Sequence, residues 1–339
     1  MTKRSLALAV ASFEALETAA TACEAANLDR AWTTELRSRD AVVRAQHVAT
    51  HTKRLLTGTG IAYAFTRHPM AMAAAAVEAA AATGGRLTIG VGAGTAHTRG
   101  EFGITFDHPA ARLSEYVAVM RAAVDADRGL EFHGRFYDVS MPGFAFGHPR
   151  PLLDDVRFYG AALMPTALKA MARSCDGIAL HPFGHLENYL DDVVLPAVST
   201  GPRNPVVAAW MIACALPDAD EARRLAKAQI SLYAAQPGFT AFFEHTSWSA
   251  QAATVRDAVR LGSGPQPWAE IGARLIPDEM LDDLAAAGDP AAVAARVRAK
   301  EEQLTRQGVD ELTLQIPGVA LPAERTGEVL ATLTAALAR

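Results

Sequence analysis

Cysteine is scarce: the 339 residues include three, Cys23, Cys175 and Cys214, far apart and without CxxC spacing. That pattern speaks against a zinc cluster or a disulfide framework and predicts three buried apolar thiols in a reducing cytoplasm. An excess of one charge is also missing. Lys and Arg number 32 against 37 Asp and Glu, a net charge of −5, and the two signs are interspersed. The electrostatic footprint of a nucleic-acid binder is therefore absent, and a small-molecule partner is favoured. Long hydrophobic runs are equally rare. Near the N-terminus two basic residues lead into Glu14 and Glu17 before any long apolar stretch builds up, which predicts neither a signal peptide nor a membrane span. No HxH or HExxH spacing occurs, so no catalytic metal is expected.

Half of the residues are hydrophobic and a fifth are charged, enough to bury a large core. Short apolar runs alternate with longer helical patterns, which is what βα units around a parallel sheet produce. Predicted strands are Ser5–Val10, Arg30–Thr34, Leu55–Ala62, Leu87–Val91, Val156–Tyr159, Gly177–Leu180, Val206–Cys214 and Glu311–Ile316. Helical patterns follow them at Glu14–Ala26, Asp40–Thr52, Met70–Ala82, Pro109–Asp127, Thr166–Ser174, Leu186–Val198, Asp218–Ala235 and Glu324–Ala338. Eight such units are the content of an α/β fold, the closed (β/α)8 TIM barrel, whose usual size is about 250 residues. Two interruptions supply the excess length: a hairpin-like stretch at Gly129–Arg150 after the fourth strand, and Pro237–Ala287 in the last crossover, which ends in helical runs near Met280 and at Ala291–Leu304. No composition break marks a linker, so residues 1–339 read as one domain. A doubly wound sheet is the structural alternative.

In a (β/α)8 barrel the active site lies at the C-terminal strand ends. Glu35 ends the second strand, Arg67 and His68 follow the third, and Gly92, Gly94, Thr95 and His97 follow the fourth. His181 follows the sixth. GVGAG does not match GxGxxG, and no Walker A lysine follows it. Its glycines either pack a loop tightly on the barrel or let a planar ligand lie against the backbone. The segment GTGIA, Gly58–Ala62, poses the same choice. Small residues at Gly160, Ala161, Ala162 and Leu163 lead into a helix, where free amides and the helix dipole suit a phosphate, or form an ordinary βα turn. Glu35 and His181 each have a structural alternative, a solvated rim carboxylate and a hydrogen-bonded ring. His47, His51, His133 and His245 fall on helices or insertions and are set aside.

From Gly58 to Gly94, GTGIAYAFTRHPMAMAAAAVEAAAATGGRLTIGVGAG, the chain resembles the luciferase-like monooxygenase superfamily, in its coenzyme F420-dependent branch. LDRAWTTEL at 28–36, FDHPAARLSEYVAVMRAAV at 106–124, FHGRFYDV at 132–139 and GDPAAVAARV at 288–297 agree, in the family's order. The resemblance implies a barrel holding a deazaflavin or flavin ring at its C-terminal mouth. It implies a non-prolyl cis peptide at Gly60–Ile61 against that ring, with Ala62 beside it, and a cofactor contact from Glu35. It also implies phosphate binding at Gly160–Leu163, and a homodimer. The chain departs from the family pattern at Leu36, where many members carry a histidine, and at Thr95, Ala96 and His97, where an Asn or Glu is usual. The proton donor is thus expected at His97 or His181, with Tyr63 or a water as the alternative. Three functions follow: F420-dependent hydride transfer to or from a small organic substrate, FMN-dependent monooxygenation, or a non-catalytic flavin-binding paralogue.

Overall fold

The computed structural model describes residues 2–104, 107–259 and 266–338, with no side chain described at 96 and 97. Among the described residues all eight predicted strands form, at Lys3–Leu8, Arg30–Thr33, Leu56–Thr59, Leu87–Gly92, Arg157–Ala162, Gly177–Leu180, Val206–Ala215 and Glu311–Gln315. The chain forms two compact units. One comprises Met1–Leu28, Leu180–Val193 and Ala209–Arg339, the other Asp29–Ala179 and Val194–Ala208.

In the unit built on Asp29–Ala179, Arg30–Thr33 pairs in parallel with Leu56–Thr59, which pairs with Leu87–Gly92, which pairs in turn with Arg157–Ala162. Side chains are removed where these strands crowd. A Cβ on Gly58 would lie 2.5 Å from the buried Trp32 ring, and one on Gly90 would lie 2.2 Å from the Thr59 carbonyl oxygen. The space is filled by Trp32 and by the buried Arg30, whose guanidinium sits 4.7 Å over the Trp32 ring and donates to Thr88 Oγ1 at 2.6 Å. The predicted third strand is interrupted. The Gly60–Ile61 peptide is cis, and pairing resumes at Ala62–Tyr63 against Val91 and Gly92.

Helix starts follow local chemistry. Asp40 caps Ala41–Thr50 by accepting from the Val42 and Val43 amides, and His68 with Pro69 opens Pro69–Thr83, which stops at the left-handed Gly84. The predicted hairpin forms from Gly129–His133 and Asp138–Pro142. Its turn is tied down by Glu115 on the Pro109–Asp125 helix, whose carboxylate accepts from the amides of Arg135, Phe136 and Tyr137 at 3.1, 2.7 and 2.8 Å.

In the other unit Lys3–Leu8 pairs in parallel with Glu311–Gln315, and Ser5 Oγ donates to the buried Glu311 carboxylate at 2.6 Å. The end of Val206–Ala215 pairs with Ala285–Gly288, a strand the sequence did not predict. Three consecutive alanines favour a helix, and pairing with Ile212–Ala215 overrides that preference. Helices at Ser249–Ala258 and Trp268–Leu275 also lie inside the second insertion, where the sequence reading had none. The predicted helix Leu186–Val198 contains a π-turn over Leu190–Val194, just before Pro196, whose ring nitrogen has no proton for an intrahelical bond. Cys23, Cys175 and Cys214 are buried, and burial pushes all three thiols up to about 12. Among the described residues no helix is long and apolar enough to cross a membrane.

The strand crowding is directly testable. Gly90→Ala sets a methyl against the Thr59 carbonyl, so we expect a loss of about 1–3 kcal/mol in chemical denaturation, the ordinary cost of overpacking a core. Gly143→Ala, where a Cβ meets nothing within 4 Å but φ is +74°, should cost less.

Candidate functional site

Glu35 follows the Arg30–Thr33 strand, and its backbone amide donates to the Ile61 carbonyl at 3.2 Å. The strand thereby delivers a carboxylate beside the cis peptide. The residue is 9% exposed. Its Oε1 accepts from Arg67 Nη2 at 3.1 Å, and the same nitrogen donates to Asp40 Oδ2 at 3.0 Å. Glu35 Oε2 is buried and has no hydrogen-bond partner among the described residues. Burial raises the Glu35 pKa above its usual 4.5, and the charge on Asp40 adds to the rise; Arg67 and, to a smaller extent, the nearby backbone amides of Ala41 and Tyr63 oppose it. Arg67 is held from behind, since the Tyr116 hydroxyl donates to its carbonyl at 3.2 Å. Sequence reasoning placed Arg67 at the chain turn and missed Asp40, whose only signal was that of a helix cap.

A cavity of about 360 Å³ lies next to this group, lined by Leu36, Arg37, Ser38, Tyr63 and Thr98. Tyr63 follows the cis bond by two residues, and burial, the largest influence, raises its pKa above the usual 10. Thr98 Oγ1 lies 2.9 Å from Thr95 Oγ1, and Thr95 caps the helix Ala96–Glu101 by accepting from the Thr98 amide at 3.1 Å. Gly94 adopts φ +68°, and a Cβ there would touch the Tyr63 ring at 3.6 Å. Three of the predicted cofactor residues meet at one point, because a Cβ on Gly92 would lie 2.3 Å from Ile61 Cδ1 and 3.2 Å from Ala161 Cβ.

The small residues before the fifth helix sit differently from the predicted turn. Gly160, Ala161 and Ala162 still belong to the strand, and Gly160 pairs with Val91. Gly160 lacks a side chain because Met171 Sδ and Cys175 Sγ occupy the place of its Cβ. The turn is Leu163 and Met164. The helix Pro165–Ser174 then begins with no side-chain cap, leaving its first-turn amides without a side-chain acceptor.

His181 belongs to the other compact unit. Its Nδ1 accepts from the Phe183 amide at 3.3 Å, so Nε2 carries the ring proton, and Nε2 is buried with no hydrogen-bond partner among the described residues. The rings of Phe239, Tyr233 and Phe183 surround it at centroid distances of 4.2, 4.5 and 5.0 Å. Burial pushes its pKa down to about 3. At neutral pH the ring is an uncharged N–H donor and has no imidazolium proton to give. The His97 side chain lies outside the described residues.

Residues 2–307 match the sequence model of a family described as luciferase-like monooxygenase. The chain is 31% identical over 297 residues to an uncharacterised protein of Mycobacterium tuberculosis, covering 83% of this chain and 84% of that one. It is 24% identical over 300 residues to a 5,10-methylenetetrahydromethanopterin reductase of Archaeoglobus fulgidus, covering 87% of each. Its fold resembles that of the coenzyme F420-dependent tetrahydromethanopterin reductase from Methanopyrus kandleri, with a TM-score of 0.77 at 18% identity, covering 98% of this chain and 97% of the other. The chain belongs to the luciferase-like monooxygenase family, and its fold is the (β/α)8 barrel.

Proposed function

We propose that the protein is an F420-dependent oxidoreductase that moves a hydride between the deazaflavin and a carbon of a small organic substrate. The carrying observation is Glu35 Oε2, a buried acceptor without a hydrogen-bond partner among the described residues, one position before the cavity-lining Leu36. Burying an unpaired carboxylate oxygen is costly, and a ring N–H or hydroxyl of a bound cofactor would relieve that cost. The donor set fits such a group. Gly60, Ile61, Gly94 and Thr95, which keep some exposure, are the positions where the ring would rest, with the buried Ala62 and Gly92 behind them. The uncapped helix start after Ala162 and Leu163 offers amides for a phosphate. When bound, F420 supplies or accepts the hydride; the chain orients it and handles the proton.

The family description, luciferase-like monooxygenase, favours a second reading, monooxygenation with FMN, the ligand of a Pseudomonas putida monooxygenase of similar fold. A non-catalytic flavin-binding paralogue is the third, and turnover of any substrate removes it. A homodimer is part of the proposal.

Three outcomes are expected. Glu35→Gln should lower F420 affinity at least tenfold, about 1.4 kcal/mol, read by cofactor fluorescence. Because burial raises the Glu35 pKa, its folded-state contribution is lost as pH rises through the raised value. The same variant should therefore hold its stability at pH 7, and unchanged affinity would reject the role. Met164→Asp should cap its own helix, adding about 1 kcal/mol of stability, and weaken cofactor binding by setting a negative charge against the phosphate.

His181 supplies the third. Its lowered pKa predicts no His181 inflection in turnover between about pH 5 and 8. It also predicts stability lost as pH falls below the ordinary 6.5. His181→Ala should flatten that acid dependence in a thermal-melting series, and an unchanged series would show that the fold does not lower the pKa of this ring.

A further inference from the structure

His47 and His51 stand one turn apart at the end of the helix Ala41–Thr50, where His51 is the C-terminal cap. Residues four apart share a helix face, and the two rings lie side by side, with centroids 4.1 Å apart and planes 34° from parallel. HVATH has the i, i+4 spacing by which HExxH grips zinc, without its glutamate. His51 is exposed and His47 half-buried, so an ion can reach the pair from solvent. The hydrogen bonds around His51 fix its tautomer. Its Nδ1 lies 2.8 Å from the His47 carbonyl oxygen and 3.3 Å from Thr50 Oγ1. The Thr50 hydroxyl gives its one proton to that same carbonyl at 2.9 Å, so both neighbours of Nδ1 can only accept from it. Nδ1 therefore carries the proton, and in the neutral ring Nε2 holds the lone pair. Metal-binding histidines have this arrangement: one nitrogen donates to a backbone carbonyl, which orients the ring, and the other coordinates.

We propose that His47 and His51 form a binding site for one divalent cation of the Zn2+, Ni2+ or Cu2+ class, and that the ion clamps the last turn of this helix. A ring nitrogen of each residue lies within 4.8 Å of the other, so small side-chain rotations bring both onto one ion at about 2.0–2.1 Å. Imidazole nitrogen suits these ions, whereas Mg2+ and Ca2+ demand oxygen. The ion would also sit at the end of the helix where the last carbonyls gather partial negative charge, which favours a cation. Binding is coordination alone: each neutral ring gives a lone pair, any proton held by the pair is released, and no oxidation state changes. The clamped helix is the one that Asp40 caps, and Asp40 shares Arg67 with Glu35. The ion would thus steady the far end of an element that helps to hold the candidate site. The site is independent of the deazaflavin reading, which requires no metal.

The test is calorimetric titration of the full, untagged chain, stripped of metal with EDTA, with Zn2+, Ni2+ and Mg2+. It compares the wild type with His47→Gln, His51→Gln and His133→Gln, the last an exposed histidine of the hairpin. We expect one equivalent of Zn2+ or Ni2+ to bind the wild type and Mg2+ not to bind. Affinity should fall at least tenfold in both His47→Gln and His51→Gln and stay unchanged in His133→Gln. Electron paramagnetic resonance of bound Cu2+ should show two nitrogen ligands in the wild type and fewer in each site variant. Zn2+ should raise the melting temperature of the wild type more than that of either site variant. Both substitutions fall on side chains that reach solvent, and circular dichroism checks that the variants fold. Equal affinity in the wild type and the two site variants, a loss confined to one of them or to His133→Gln, or no binding of Zn2+ and Ni2+ would overturn the assignment.

Discussion

A carboxylate carried below the solvent surface and only half compensated sets the terms for the site. Glu35 has one oxygen on Arg67 and the other on nothing among the described residues. In water such a group is solvated freely; under a strand end it is tolerable only if its surroundings supply positive charge or a ligand supplies a donor. Arg67 provides part of that and is itself shared with Asp40, a helix cap. One guanidinium therefore ties together the end of the second strand, the start of the second helix and the turn after the third strand. A ligand that donates to Oε2 would be bound with energy the folded chain has held in reserve.

The second constraint is steric. Gly58, Gly90 and Gly92 each stand where a Cβ would strike Trp32, the Thr59 carbonyl or Ile61. Strand packing accounts for all three glycines, and at Gly92 it seats the Ile61 side chain and Ala161 against the backbone beside the cis peptide. Packing and ligand approach, which the sequence left as alternatives, are compatible here.

Most of the fold was legible in the sequence because buried strands and amphipathic helices leave periodic traces over many residues. Glu35 was singled out by its place after a strand, whereas the cis bond at Gly60–Ile61, which the structure contains, was implied by the family resemblance. What stayed hidden depends on contacts that no local pattern encodes. Ala285–Gly288 is a strand only through its pairing with Ile212–Ala215. Tyr63 and Thr98 line one cavity although they are far apart in sequence, and neither has a spacing that marks it. His181 was correctly placed after a strand, but its neutrality comes from the rings of Phe183, Tyr233 and Phe239, two of them supplied by distant helices.

The account stands on the identity of the group that meets Glu35 Oε2. Equilibrium titration of the purified protein with F420 and with FMN, each oxidised and reduced, measures that identity directly. The account predicts saturable F420 binding, tighter than that of FMN. Binding of FMN without binding of F420, or of neither, would contradict it.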